Sequence, residues 1–336
     1  MIHRLQLQKA KPTTQRGVAL IMALMVFALV SAMAASVMTY LAKERDIIEQ
    51  VQQTSQLKQQ LLGGEAWAIQ YFAQLDEKSL PAFESSKWLL KQETFPLEQE
   101  KDEMTIVLLD RQSCFNINLL ANETTAELSY QRLQRLITSL GKNPNLADQI
   151  KDWVDSDQDI TGAGGHEDEF YQSFSPSFRA SDSALVSETE MLLWRWTPED
   201  LAALLPWLCI WPVEMGANVN RFPKPLQDAY LVNMTEEQKK KFTARLDSAG
   251  FATVKEFLQE ESLSDQGLEE ADWRTNMAYV DAFIKVTLGD RQMSLHTRLI
   301  KSNSGNVRVY GRSYGSTGWL VSFFNLPSIE TNGQEE

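Results

Sequence analysis

The most prominent feature of the hydrophobic pattern is one unbroken apolar run, Val18 to Met38, with no charged residue in it. As a helix rising 1.5 Å per residue it reaches roughly 30 Å, the thickness of a bilayer's hydrocarbon core. From Tyr40 to Leu75 the pattern changes: Ile48, Val51, Leu62, Ile69 and Phe72 recur at helical spacings, with Gln50, Gln52, Gln53, Gln56, Gln59 and Gln60 between them. This reads as an amphipathic continuation of the same helix, with Gly63-Gly64 predicted to kink or loosen it. Ser79-Leu80-Pro81 and Phe95-Pro96 read as loops, and Met104–Asp110, rich in β-branched residues, as a strand. Three further strands are predicted at Tyr279–Leu288, Gln292–Lys301 and Asn306–Ser313, with turns at Gly289-Asp290 and Ser302–Gly305. The alternation of Val307 and Val309 with Arg308 and Tyr310 suits a half-buried antiparallel sheet. The long interval before these strands is dominated by helical patterns. The class is therefore α+β: a long amino-terminal helix, an antiparallel sheet, and a large α-helical insertion within that sheet.

Composition narrows the function. The chain has 336 residues, 43% of them apolar, and a formal charge of −13 from 32 basic and 45 acidic side chains. A chain this acidic gains little from counterion release on a polyphosphate, so nucleic acid is not expected as a partner. Residues 1–17 run against the trend, with Arg4, Lys9, Lys11 and Arg16 and no acid. Basic residues before the apolar run place the amino terminus in the cytoplasm and the bulk of the chain across the membrane. Ala32-Met33-Ala34 has the small-x-small form of a secretory cleavage site, so a cleaved signal is the alternative to a retained anchor.

Three groups of residues are candidates for chemistry. Cys114 and Cys209 are the only cysteines. Beyond the membrane they point to one disulfide, with two separate buried thiols the alternative. The segment from Asp152 to Glu169 alternates carboxylates (Asp155, Asp157, Asp159, then Glu167, Asp168, Glu169) around Gly162, Gly164 and Gly165. Several hard oxygens on a loop that glycines let wrap tightly suit Ca²⁺, although the sixth position from Asp155 is Ile160 and the twelfth His166, so it is not an EF-hand. A solvated acidic loop is the competing reading. His166 is expected to flank this loop and His296 to lie at the surface of a strand; neither has a recognisable nucleophile context, and no enzymatic activity is expected. Finally, Phe115-Asn116-Ile117-Asn118 recurs as Ala217-Asn218-Val219-Asn220. The asparagines read as turn-closing caps of following helices; a DNA-receptor hairpin is disfavoured by the charge.

Gln15-Arg16-Gly17, followed at once by Val18-Ala19-Leu20-Ile21-Met22, resembles a type IV prepilin leader. That resemblance implies cleavage after Gly17 by a prepilin peptidase and N-methylation of Val18, leaving the anchor in place. Pilin-type subunits usually carry glutamate as the fifth mature residue; here it is Met22, which fits a subunit with no neighbour above it at a filament tip. Further stretches extend the likeness: GGEAWA at 63–68, Cys114–Asn118, DWVDSDQDITGAGGHEDEFY at 152–171, Ser187–Leu192, LPWLCIWP at 205–212 and Asn218–Asn220. Together they resemble the protein K family of minor pseudopilins of type II secretion systems.

The resemblance implies a pilin-like fold divided as follows: leader 1–17, membrane span 18–38, periplasmic helix 39–75, sheet 76–118 and 273–325, inserted α-domain 119–272, and a disordered tail 326–336. It implies a tip subunit that starts pseudopilus assembly with the I and J minor pseudopilins and supports protein export. The inner-membrane assembly platform and the major pseudopilin filament are its further partners. It also implies calcium at the acidic loop, with Asp155, Asp157, Asp159, Glu167 and Asp168 as ligands. A minor pilin of a type IV pilus or competence filament is the alternative.

Overall fold

The computed structural model describes residues 15–77, 80, 88–97, 101–212, 215–232, 234–260, 263, 268–315, 321–322 and 324. The expected leader and tail fall largely outside them. The chain divides into two compact units, residues 1–58 and 59–336.

Helix α1 runs from Gln15 to Gln74 without interruption. Within the first unit its side chains are exposed from Val18 through Val51, and the helix is long and apolar enough to cross a membrane. The helix is not interrupted at Gly63-Gly64. The reason lies in the second unit: a Cβ on Gly64 would stand 2.7 Å from Ile284 Cγ2 and 2.9 Å from Met104 Sδ, whereas one on Gly63 would meet nothing. Gly64 thus serves close approach of helix to sheet.

That sheet has five antiparallel strands: β1 (Leu89–Pro96), β2 (Glu103–Asp110), β3 (Tyr279–Leu288), β4 (Arg291–Lys301) and β5 (Val307–Tyr314), side by side in that order. Strand β1 corrects the expectation of a loop at Phe95-Pro96. Its charged residues belong to a half-buried edge strand, and a register shift between Leu89 and Lys91 breaks the alternation that marks strands in a sequence. Gly289, at φ +59°, makes the tight turn that pairs Leu288 with Arg291.

One sheet face, with Ile106, Ile284 and Leu295, meets the end of α1, where Leu61, Ala68 and Phe72 are buried. Glu65 on that helix turn accepts from Thr297 Oγ1 at 2.8 Å and from Arg312 Nε at 2.6 Å. Burial would raise the Glu65 carboxyl, but these two donors hold it below the ordinary glutamate value. The contact therefore stabilises the fold above that value and fades as pH falls through the depressed one. Val107, Leu109 and Phe283, on the other face, join a single core with the insertion.

The insertion, residues 111–278, leaves β2 and returns into β3, its immediate neighbour. Its helices are α2 (Ala126–Ser139), α3 (Leu146–Val154), α4 (Asp168–Gln172), α5 (Pro198–Leu204), α6 (Lys224–Tyr230), α7 (Glu236–Ser248) and α8 (Val254–Leu258). Buried polar contacts tie its two ends together. Asp110 accepts from Gln112 N, Ser113 Oγ and Arg221 Nε, and Gln112 Oε1 accepts from the amides of Ala278 and Tyr279. Arg111 donates to Leu208 O and pairs with Asp281 at 3.3 Å. Burial would raise the Asp281 carboxyl, yet His296 and Arg111 keep it low. His296 is accordingly buried rather than at the surface: Nε2 lies 3.2 Å from Asp281 Oδ2 and the ring stacks on Phe283. A buried carboxylate on a central strand requires such neighbours.

The cysteines form a disulfide, Cα–Cα 5.9 Å, beside a short parallel bridge that pairs Phe115 with Leu208 and Asn116 with Cys209. It closes a loop of sequence separation 95. The chain-entropy relation assigns such a loop about 4–5 kcal/mol.

Two substitutions distinguish the roles of the adjacent glycines. Gly64→Val should lower unfolding free energy by about 1–3 kcal/mol through overpacking. Gly63→Ala should leave it unchanged or raise it by up to about 1 kcal/mol through helix propensity. Denaturant unfolding of the full chain in detergent measures both.

Candidate metal centre

The acidic segment begins on α3, where Asp148 and Asp152 are one turn apart and point the same way, with Asp155 immediately beyond the helix. Asp148 accepts from Tyr130 Oη at 2.6 Å and from Gly164 N at 3.0 Å; Asp152 accepts from Thr161 N at 3.1 Å. Both are buried, and both hold the loop by its backbone. The glycines make the approach possible. A Cβ on Gly162, at φ +55°, would lie 2.4 Å from Asp148 Oδ2, and one on Gly165 would lie 2.3 Å from Asp152 Oδ2.

Against this frame Asp155, Asp157 and Glu167 converge. One carboxylate oxygen from each lies within 4.8 Å of the others. Asp155 Oδ1 and both Glu167 oxygens are buried without a hydrogen-bond partner. Asp157 Oδ1 accepts from Asp159 N at 2.8 Å. Three converging carboxylates, two of them with orphaned oxygens, suit a hard divalent ion. Two oxygens bound to one Ca²⁺ at 2.3–2.6 Å can be up to about 5 Å apart. The remaining two expected ligands are not in this group. Asp159 contributes its amide and its side chain is exposed. Asp168 accepts from Ala180 N at 3.0 Å and faces Arg179. His166 stacks on Phe170 beside the cluster, its ring centroid 3.7 Å away.

The electrostatics follow from this crowding. Burial, then the charges of Asp152, Asp155, Asp182 and Asp157, push Glu167 up to about 8. Burial and the charges of Asp157 and Asp152 push Asp155 up to about 6. Asp182, at φ +48°, is the neighbour that pattern reading missed, since it lies far along the chain. The loop-holding roles of Asp148 and Asp152 were also missed; their four-residue spacing on a helix was the available signal.

A family model for type II secretion system (T2SS) protein K matches residues 113–213, a span that contains the acidic segment and both cysteines. The type II secretion system protein K of Pectobacterium carotovorum is 29% identical over 324 residues, covering 90% of this chain and 97% of its own. That of Pseudomonas aeruginosa is 25% identical over 253 residues, covering 74% and 73%. The chain is thus similar to type II secretion system protein K over most of its length. Its fold agrees: the crystal structure of the GspK-GspI-GspJ complex from enterotoxigenic Escherichia coli contains a similar chain. The TM-score is 0.60 at 21% identity, over 80% of this chain and 99% of that one. Protein K is a structural minor pseudopilin of the type II secretion system, and that is the class of this chain; a type IV or competence pilin is not favoured.

With divalent ions chelated, the raised carboxyls make stability fall as pH rises. The folded chain holds protons on Glu167 up to about 8, and the unfolded chain releases them near the ordinary glutamate value. Between those limits the folded state binds more protons, so unfolding free energy declines with pH. Glu167→Gln should flatten this slope in melting curves recorded from pH 5 to 8 in chelator; an unchanged slope would count against the assignment.

Proposed function

We propose that the chain is the apical subunit of the pseudopilus and that it starts assembly together with the I and J minor pseudopilins. The carrying observation is the insertion at residues 111–278 between two paired strands of a pilin-like sheet. An added domain of that size occupies the space a next subunit would need, while the sheet and α1 remain those of a pilin-like subunit. The similar chain of known structure was solved in complex with GspI and GspJ, which supports the same partnership here. Met22 supports the position too, since a subunit with nothing above it needs no buried glutamate to meet a neighbour's terminal amine.

In this reading the prepilin peptidase cuts after Gly17, Val18 is N-methylated, and the apolar part of α1 stays in the inner membrane. The acidic remainder is periplasmic, in keeping with the basic residues before the span. The inner-membrane assembly platform receives the subunit, and the major pseudopilin filament grows beneath it, supporting export across the outer membrane. The role is structural, not enzymatic. Calcium binds at Asp155, Asp157 and Glu167, where it neutralises carboxylates that otherwise repel one another. Asp159 and Asp168 shape the neighbouring backbone.

Co-expression with the I and J pseudopilins should yield a ternary complex that survives gel filtration, whose K subunit begins at methylated Val18. A mature start near residue 35, or recovery of the chain along the filament shaft, would overturn the reading. Chelation should lower the melting temperature of the purified chain by roughly 5 °C or more relative to saturating calcium. Asp155→Asn and Glu167→Gln should abolish that difference.

A further inference from the structure

Among the described residues, Asp182 and Arg195 are the non-glycines at positive φ, and Asp182 stands beside the acidic cluster. A left-handed backbone at a residue with a Cβ costs free energy and persists only where its surroundings hold it. Two contacts hold Asp182. Its amide donates to Trp153 O at 3.1 Å, at the end of α3 and two residues before Asp155. Its two carboxylate oxygens each lie 3.4 Å from Nε2 of Gln158, the residue that follows Asp157. Asp182 is thus fastened by its backbone to one side of the cluster and turned by its side chain toward the other. Its charge is among those that raise both Asp155 and Glu167.

Without Asp182 the cluster is short of donors. Three carboxylates supply roughly three to six oxygens, according to whether each binds through one or both, whereas Ca²⁺ takes about 6–8. The need for an ion does not rest on acidity alone: Glu167 is 5% exposed and neither of its oxygens has a hydrogen-bond partner. A buried charge of that kind calls for a counter-ion. The other carboxylates nearby are occupied, since Asp148, Asp152 and Asp168 accept from the amides of Gly164, Thr161 and Ala180. Among the described residues the Asp182 carboxylate accepts only from the Gln158 side chain, at a distance long for a hydrogen bond, and an ion can replace that contact.

The residues that follow Asp182 reach the sheet. Leu185 N donates to Asn118 Oδ1 at 2.8 Å, and Leu185 O accepts from Asn118 Nδ2 at 3.1 Å. One residue on, Val186 O accepts from Arg298 Nη1, on β4, at 2.9 Å. The segment 182–186 therefore joins the acidic loop to the pilin-like sheet.

We infer that Asp182 is a fourth carboxylate ligand of the ion, and that through it the ion clamps the segment 182–186 between the acidic loop and strand β4. The inference rests on calcium binding at Asp155, Asp157 and Glu167, as proposed above, and gives the ion a task beyond neutralising those three. The sheet-facing segment is fastened when calcium is bound and loosened when it is withdrawn. Asp182 also sets selectivity, because a larger shell suits Ca²⁺, whereas Mg²⁺ demands a near-octahedral one and keeps several waters.

The test titrates the full chain in detergent with Ca²⁺ and with Mg²⁺ by calorimetry, and counts ion-bound waters from Tb³⁺ luminescence lifetimes in H₂O and D₂O. Asp182→Gly removes the carboxylate and accepts the left-handed backbone without strain. It should weaken Ca²⁺ binding at least about tenfold, weaken Mg²⁺ binding less, and add about one water to bound Tb³⁺. Asp182→Asn, which keeps the backbone and one neutral oxygen, should fall between. Hydrogen exchange over residues 182–186 should slow when calcium is added to the unaltered chain and stay fast in Asp182→Gly at saturating calcium. The inference falls, with the site intact, if Asp155→Asn and Glu167→Gln abolish binding while Asp182→Gly leaves the affinity or the water count unchanged. It falls equally if calcium leaves exchange over 182–186 unaltered. If the unaltered chain takes up no calcium, or Asp155→Asn and Glu167→Gln bind it as before, the site itself is overturned and the inference with it.

Discussion

Four consecutive residues at the end of β2 carry the constraint on which the rest of the second unit depends. Asp110, Arg111, Gln112 and Ser113 stand where the chain leaves the sheet, and all four are buried. Their side chains reach across to Arg221, Asp281, Leu208 and Ala278, the points at which the insertion folds back and rejoins β3. Because β2 and β3 are paired neighbours, both ends of the insertion are fixed by the sheet itself. Burying two carboxylates and two guanidiniums is tolerable only as a fully paired set, since loss of one partner would strand the other's charge away from water. The node therefore specifies geometry more than it supplies net stability.

The acidic segment divides its carboxylates between two tasks. Asp148 and Asp152 are satisfied by backbone amides and the Tyr130 hydroxyl, so they set the path of the loop without help from any ion. Asp155 and Glu167 retain oxygens with nothing to accept from. Glycine at 162 and 165 is what permits the first task, because a side chain there would collide with the carboxylate that holds the loop. The fold itself holds these carboxylate oxygens close to one another, and their mutual repulsion is built into it.

Much of this architecture was legible in the chain. The apolar run of α1 and strands β2 to β5 announce themselves through period and length, and the two cysteines through their isolation. Strand β1 was not, because an edge strand with a bulge lacks clean alternation. His296 was misplaced for a related reason. Alternation along β4 separates two faces, but it does not say that both are covered, and the insertion that covers the second lies elsewhere in the sequence. In the acidic segment composition singled out the loop in which three carboxylates, Asp155, Asp157 and Glu167, converge. Asp159 and Asp168 could not be distinguished from them by spacing, since what decides which carboxylates converge is the direction each side chain takes after the loop has folded. Asp182 is visible beside them only in three dimensions.

The position of the disulfide has a mechanical meaning. Asp155, Asp157 and Glu167 all lie between Cys114 and Cys209 in the sequence. Tension pulled through the backbone from either terminus crosses from residue 114 to residue 209 through the sulfur bridge and bypasses everything between. The acidic segment carries none of that traction while the bond is intact. Reduction would reroute the load through the loop.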